Sequence, residues 1–317
     1  MYNTAIIGAG QLGSRHLQGL KTASLPLNIW VMDNDEESLR VAEERYSQVA
    51  MVSEKYAQFV MNIDQLPSEL DFVVVATGSR PRATVVRSLL THAQVKNLVL
   101  EKVLFTTLED YDEICDLIKE KNVNCWVNCT RRMFGINRQI EESLDKEKPI
   151  KMKYEGLNWG LCCNSIHFID LFMMFTGEKT YKIDTTGLEK EIVQSKRNGY
   201  IEMNGTLKIT TSKGNELELT CHSEGQCDNL IEISNGGHVF KVSDAKQLIE
   251  KDGEEKAFHL PYQSELTGLV VDMILKTGYC PLSTLEKSIN YHKPFIKALL
   301  SFYNDVNHTS EKMLPIT

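Results

Sequence analysis

The 317-residue sequence lacks any apolar run near the roughly 20 residues of a membrane span, so no membrane role is expected. It also lacks an excess of basic charge: 35 Lys and Arg stand against 43 Asp and Glu, a net charge of −8. An acidic chain gains nothing from counterion release on DNA or RNA, and no nucleic-acid partner is expected. The opening MYNTAIIGAG has no basic segment ahead of its apolar stretch, unlike a secretory signal, which points to a cytoplasmic protein. Prolines number only 8, and there is no proline-rich linker, internal repeat or low-complexity tract. The 8 cysteines include no pair spaced like a zinc knuckle, and the adjacent Cys162 and Cys163 suit no ordinary disulfide. Cys125, Cys129, Cys163 and His167 are the one grouping that zinc could recruit, but buried thiols are the simpler reading, and no metal is expected.

Hydrophobic residues make up 42% and charged residues 25%, enough for full-sized cores and a soluble surface. At about 150 residues per domain, the length suggests two domains. Between residues 4 and 122, short apolar runs alternate with helical patterns. The runs are TAII (4–7), NIWVMD (28–33), DFVVVAT (71–77) and NLVLEK (97–102), with a weaker one near Val49–Val52. Helical spacing occupies 11–22, 35–47, 80–91 and 107–121. Buried, β-branched strands alternating with helices imply a doubly wound parallel sheet. The pattern then changes. A helical stretch (132–144), a strand (151–159) and a helix (162–175) lead into strand-like stretches at 200–211, 215–222, 229–234, 237–242 and 246–250. Turn signals SKGN, NGG and KDG separate them, and helical segments at 262–277 and 283–304 close the chain. The expected organisation is an α/β Rossmann domain over 1–123, then an α+β domain over 124–317 with a large, mostly antiparallel open sheet.

Gly8, Gly10 and Gly13 form G-A-G-Q-L-G between the first strand and the first helix. The first glycine permits a tight turn, the second admits a pyrophosphate against the backbone, and the third lets helix and strand pack closely. Gln11 and Leu12 complete that turn, and the helix N-terminus offers N–H groups to phosphate. Asp33 ends the second strand 20 positions past Gly13 (33 − 13). Its carboxylate suits a ribose 2′-hydroxyl and would repel a 2′-phosphate, which favours NAD; Arg15 and Arg40 nearby keep NADP as the alternative. Ligands of such sheets lie beyond the carboxyl ends of the strands. Thr77, Gly78 and Ser79 end one strand there, and Glu101 and Lys102 end the next. His16 reads as a packing residue near the cofactor loop.

Taken together, GAGQLGSRH, Glu101-Lys102, Asn128 with Arg132, the segment WGLCCNSIHFID and the closing PLSTLEKSINYHKPFIKAL resemble the Gfo/Idh/MocA family of NAD(P)-dependent sugar and cyclitol oxidoreductases. The resemblance implies cofactor contacts from the residues above together with Asn128, and homodimers or homotetramers assembled through the open sheet. The family lines its site with the lysine of E-K-P and with an aspartate and histidine spaced D-x-x-x-H. Lys102 and His167 match. Val103 replaces the proline, and Cys163 stands where the aspartate belongs.

Oxidising an alcohol with a nicotinamide needs a base for the hydroxyl proton, and an imidazole suits that task. Helical spacing puts Cys163, His167 and Asp170 on one face, so Asp170 is expected to hold one ring nitrogen of His167. Lys102 is expected to hydrogen-bond the reacting oxygen. Cys163, Arg132 and Trp159 are expected to line the substrate site. The arginines at 80, 82, 87, 131 and 132 offer partners for an anionic group, or simply a solvated helix face. The expected activity is hydride transfer between a nicotinamide and a hydroxyl or keto group of a small-molecule sugar, cyclitol or nucleotide sugar. The missing aspartate leaves two alternatives: a reductase of another carbonyl or imine, and a dinucleotide-binding regulator without catalysis.

Overall fold

A computed structural model describes all residues, 1–317. The chain forms two compact units: residues 1–105, 109–130 and 261–286 make the first, and 106–108, 131–260 and 287–317 the second.

In the first unit, strands and helices alternate: β1 (Tyr2–Ile7), α1 (Gln11–Thr22), β2 (Leu27–Met32), α2 (Glu36–Ser47), β3 (Lys55–Val60), β4 (Phe72–Val75), α3 (Ser79–His92), β5 (Asn97–Leu100), α4 (Leu108–Glu120) and β6 (Asn124–Val127). The six strands are parallel, in the order β6-β5-β4-β1-β2-β3, so the order reverses at β1. All four residues of both β4 and β5 are buried, as strands covered on both faces must be. The edge strand β3 departs from the sequence expectation: the strand is at 55–60, not near Val49–Val52, where Met51 and Val52 are exposed. Having one neighbour, it buries only its first residue fully, and its apolar signal is correspondingly faint.

The expected boundary at residue 123 falls just before β6, which belongs to this sheet. Late in the chain, α7 (Gln263–Thr277) and a two-residue strand, Ser283–Thr284, also belong to the first unit. The strand adds antiparallel to β6. Helix α7 packs on α1 through two glycines: a Cβ at Gly19 would lie 2.6 Å from the Thr267 Cβ, and one at Gly268 would lie 2.7 Å from the Gly19 carbonyl. Only hydrogen side chains allow the two backbones to come so close.

The second unit is built on one sheet. After α5 (Gly135–Ser143), β7 (Ile150–Leu157) and α6 (Leu161–Thr176) come β8 (Lys182–Gln194), β9 (Ile201–Thr210), β10 (Glu216–His222), β11 (Leu230–Asn235), β12 (His238–Ser243), β13 (Leu248–Lys251) and β14 (Glu254–Ala257), with most of the closing helix α8 (Leu285–Asn307). The order is β8-β9-β10-β7-β11-β12-β13-β14, antiparallel except where β10 meets β7. Strand β8 escapes the sequence pattern because it is a bulged edge with a mostly exposed surface. Strand β10 alternates: Leu217, Leu219 and Cys221 turn to the core, and the residues between them are less buried. Helix α6 covers this core and is buried nearly all round, ending at Gly177 in the left-handed region.

Phe172 of α6 has no exposed surface. Phe172→Ala should cost about 3–5 kcal/mol, the usual range for emptying a buried aromatic site. Urea unfolding followed by circular dichroism should show the lowered midpoint.

Candidate active site

The first unit presents a glycine turn whose three glycines have different physical reasons. Gly8 has φ +96°, and a Cβ there would lie 2.9 Å from the Thr77 backbone nitrogen. A Cβ at Gly13 would lie 1.7 Å from the Gly8 carbonyl oxygen, so that position must be glycine for α1 to meet β1. A Cβ at Gly10 would meet nothing within 4 Å. The backbone at Gly10 therefore lies open, as a pyrophosphate-binding turn requires. Helices α1 and α3 start from Gly10 and Gly78, and neither has a side-chain cap. Their first N–H groups point toward the same end of the sheet with a positive dipole end. The Thr77 hydroxyl oxygen is buried with no hydrogen-bond partner, a polar atom suited to a ligand.

Asp33 follows β2 and accepts the Ala9 N–H at 2.6 Å and the Asp35 N–H at 3.0 Å. The carboxylate is thus tied to the glycine turn while remaining partly exposed. Neither arginine that kept NADP open is idle: Arg40 pairs with Glu37 and Glu44 at 2.6 and 2.7 Å, and Arg15 donates to Gln18 at 2.8 Å. Gln11 accepts from Arg45 at 2.7 Å. Gly8–Gly13, Asp33 and Thr77 fit a dinucleotide.

Lys102 sits on the turn after β5, and the Lys102–Val103 peptide is cis. Glu101, Val103, Leu104 and Phe105 are buried, and Lys102 alone in that run is partly exposed. Glu101, 2% exposed, accepts from His16 Nε2 at 2.9 Å and from the Asn128 amide. His16 Nδ1 meets the Thr267 hydroxyl at 2.9 Å, and Asn128 donates to Gln263 at 2.9 Å. Burial works to raise the Glu101 carboxyl, but the His16 hydrogen bond and charge, Asn128 and the Arg82 charge outweigh it and hold it below the ordinary range. Glu101 is thus an internal anion beneath Lys102. His16 is part of its support rather than mere packing.

Two of the arginines after β4, Arg82 and Arg87, are engaged within the protein. Arg82 is buried and donates to backbone carbonyls, and Arg87 pairs with Asp110 and Glu113. Gln263 and Thr267 are site-supporting residues that sequence reasoning did not single out. The glycines inside α1 and α7 were the available signal, since an interior helix glycine marks close packing.

In the second unit, Cys163 and His167 stand one turn apart on α6, both partly exposed. The Cys163 thiol donates to the Gly160 carbonyl at 3.6 Å, and Cys163 lines a cavity of about 460 Å³ with Trp159, Asn164, Glu202 and Asn204. Glu202 accepts the Cys162 N–H at 2.7 Å, completing the start of α6, whose preceding Gly160 has no side chain to do so. Asp170 is 1% exposed, and its carboxylate accepts from Arg132 Nε. That arginine also donates to the Asp170 carbonyl at 2.9 Å. Spacing gave Asp170 to His167 alone, but a carboxylate so deeply buried requires a paired charge. Arg132 is the partner that supplies that charge. Trp159 packs edge-on to Tyr154 and Phe168, donates to the Thr220 carbonyl at 2.9 Å, and still lines the cavity. Arg131 pairs with Asp244 at 2.7 Å and lies over the Phe168 ring. None of the eight cysteines is in a disulfide: five are buried, and Cys115, Cys163 and Cys227 are partly exposed. No helix is long and apolar enough to cross a membrane.

The glycine turn, the strand order and the placement of Asp33 define a nicotinamide dinucleotide-binding Rossmann unit. Residues 2–129 match the Gfo/Idh/MocA family model, described as an oxidoreductase family with an NAD-binding Rossmann fold. Among solved structures, the chain is similar to UDP-N-acetylglucosamine 3-dehydrogenase from Acidithiobacillus ferrooxidans, with a TM-score of 0.73, 15% identity, and 96% of this chain and 99% of that one covered. It is also similar to an oxidoreductase from Agrobacterium radiobacter in complex with NAD+, L-tartaric acid and magnesium (TM-score 0.71, 13% identity, 96% of each chain covered). Biliverdin reductase from Synechocystis sp. PCC 6803, in complex with biliverdin and NADP+, gives a TM-score of 0.70 at 14% identity, covering 95% of this chain and 98% of that one. No curated protein matches the sequence.

Three outcomes are expected. Gly10→Val should leave the protein folded, because its Cβ meets nothing, yet abolish NADH binding measured by fluorescence; Gly13→Ala should damage folding itself. Asp33→Ser should narrow the preference for NAD over NADP, read as the ratio of the two dissociation constants. Glu101 has a depressed folded pKa, so its contribution to stability is present above the unfolded value, about 4.3, and lost as pH falls through the folded value. Glu101→Gln should therefore lower the melting temperature at pH 7 and flatten its decline in acid.

Proposed function

We propose that this protein is an NAD-dependent oxidoreductase acting on a hydroxyl or keto group of a sugar, cyclitol or nucleotide-sugar derivative. The observation that carries the reading is the turn after β5: every flanking residue is buried, and Lys102 alone emerges at the end of the sheet that bears the dinucleotide turn. A bound nicotinamide supplies the hydride acceptor or donor. Lys102 would hydrogen-bond the reacting oxygen and stabilise alkoxide character there. His167 would take the hydroxyl proton in oxidation and return it in reduction. Glu101 and Asn128 would set the cofactor edge of the site. The similarity to a UDP-N-acetylglucosamine dehydrogenase supports a sugar derivative as substrate class.

Cys163 favours a second reading, reduction of a different carbonyl or imine. At this position a carboxylate would accept hydrogen bonds and favour charged neighbours, whereas a thiol behaves mainly as a small apolar group. The cytoplasm is the proposed location. The proposed homodimer or homotetramer would use the open sheet, whose strands carry the pairs Lys208–Glu218 at 3.3 Å and Lys151–Glu216 at 3.4 Å. Such an assembly should weaken with salt.

The test is absorbance at 340 nm across panels of sugars, polyols and nucleotide sugars with NAD+, and of their keto forms with NADH. Turnover is expected in at least one panel. Its absence in both, with NADH bound, would point to a dinucleotide-binding regulator instead. Lys102→Met and His167→Ala should each bind NADH normally and lose on the order of a hundredfold in turnover. Cys163→Asp should raise sugar dehydrogenase activity and Cys163→Ala should change it little; an inactive Cys163→Ala would mean that the thiol takes part in the chemistry.

A further inference from the structure

Arg82 reads in the sequence as one of several surface cations on a helix, yet it is 1% exposed and the largest fully buried side chain in the protein. Its guanidinium donates to three backbone carbonyls. Nη2 reaches the Thr77 oxygen; Nη1 reaches the Val103 oxygen and, at 2.9 Å, the Leu104 oxygen. Those carbonyls belong to two different turns, one after β4 and one after β5. Beyond the strand ends the ladder can no longer satisfy such groups, and buried carbonyls without donors are costly. A planar fork of five N–H donors can serve two turns at once; an ammonium presents a single point.

The buried cation is compensated electrostatically by Glu101, the residue before Lys102. The next anchor is Tyr111, whose hydroxyl donates to the Phe105 carbonyl at 3.1 Å and accepts the Phe105 N–H at 3.4 Å. Lys102 therefore emerges from a backbone held on its amino side through Glu101 and on its carboxyl side by Arg82 and Tyr111. The first turn that Arg82 grips carries the buried Thr77 hydroxyl without a partner, on the segment that Gly8 touches.

We propose that Arg82 is a positioning residue that couples the Thr77 turn to the Lys102 turn, so that dinucleotide binding and the presentation of Lys102 depend on a side chain directed at neither ligand. This rests on the assignment of these turns to the cofactor site. The arginine acts through the backbone: it fixes where the Thr77 hydroxyl and the Lys102 stem begin, and it makes the two turns move as one.

The test uses the full-length protein with Arg82→Lys and Arg82→Met, and NADH as the probe. In ligand-free protein, hydrogen exchange in peptides covering 76–79 and 101–105 should rise together in Arg82→Lys, while exchange in β2 stays unchanged. NADH affinity should fall about tenfold, the order expected when hydrogen bonds to a charged donor are lost. Thr77→Val should weaken NADH binding in the unmutated background and have a smaller effect when combined with Arg82→Lys, because a loosened turn no longer aims the hydroxyl. Arg82→Met should exceed Arg82→Lys in both readouts; if it fails to fold, the lysine variant and the double variant carry the test. A folded Arg82→Lys with NADH affinity within twofold of the unmutated protein, additive double-variant effects, or exchange rising evenly over the whole unit would each overturn the proposal. Failure of the unmutated protein to bind NADH would overturn the cofactor assignment itself, which the exchange measurement, made without ligand, distinguishes from failure of the coupling.

Discussion

A carboxylate almost without access to water, that of Glu101, stands at the end of β5 and must be satisfied for the first unit to hold its shape. It meets the requirement with His16 from α1, Asn128 from the end of β6 and the charge of Arg82 from α3. Each partner comes from a different element, so satisfying one anion draws three elements toward the strand end. Removing any one partner would leave a buried charge short of compensation, which is why such networks are intolerant of partial change. Through Thr267 and Gln263, the same network reaches α7. That link accounts for a helix from late in the chain belonging with the nucleotide-binding sheet.

The site's chemistry grows from this rigidity. Lys102 is placed by its flanking residues, which are locked into the core. The glycine turn works by the opposite means, leaving space: Gly13 removes a clash that would part helix from strand, and Gly10 leaves a clear surface for a ligand. Asp33 joins the two strategies, holding the turn through the Ala9 N–H while its carboxylate stays partly exposed.

The second unit handles buried charge differently. Asp170, buried on α6, forms one close pair with Arg132 from the segment before α5, and Glu202 closes the N-terminus of α6. Cys163 lies beside this cap in a cavity with polar walls. The carboxylate lining the cavity is that of Glu202, from a neighbouring strand.

Much of the architecture was legible from residue order, because it depends on local pattern. Fully apolar runs marked β4 and β5, alternation marked β10 and β11, and G-A-G-Q-L-G with Asp33 marked the nucleotide turn. The chemistry of those features is set by neighbours in the chain: a glycine's missing side chain, a period of two, an acid at a strand end. The edge strands β3 and β8 were misplaced or missed because an edge buries little and so carries a weak pattern. The partners of buried charges were not legible at all. Arg82 read as a partner for an anionic group or a solvated cation and Arg132 as a lining residue, and only three-dimensional packing brought one to the carbonyls of two turns and the other to Asp170. Sequence therefore determined which elements form and where the glycine turn and the strand-end acid stand, since local sterics and periodicity decide those. Tertiary structure alone decided which ions are paired and which lysine is held, because desolvation and hydrogen-bond geometry depend on residues distant in the chain.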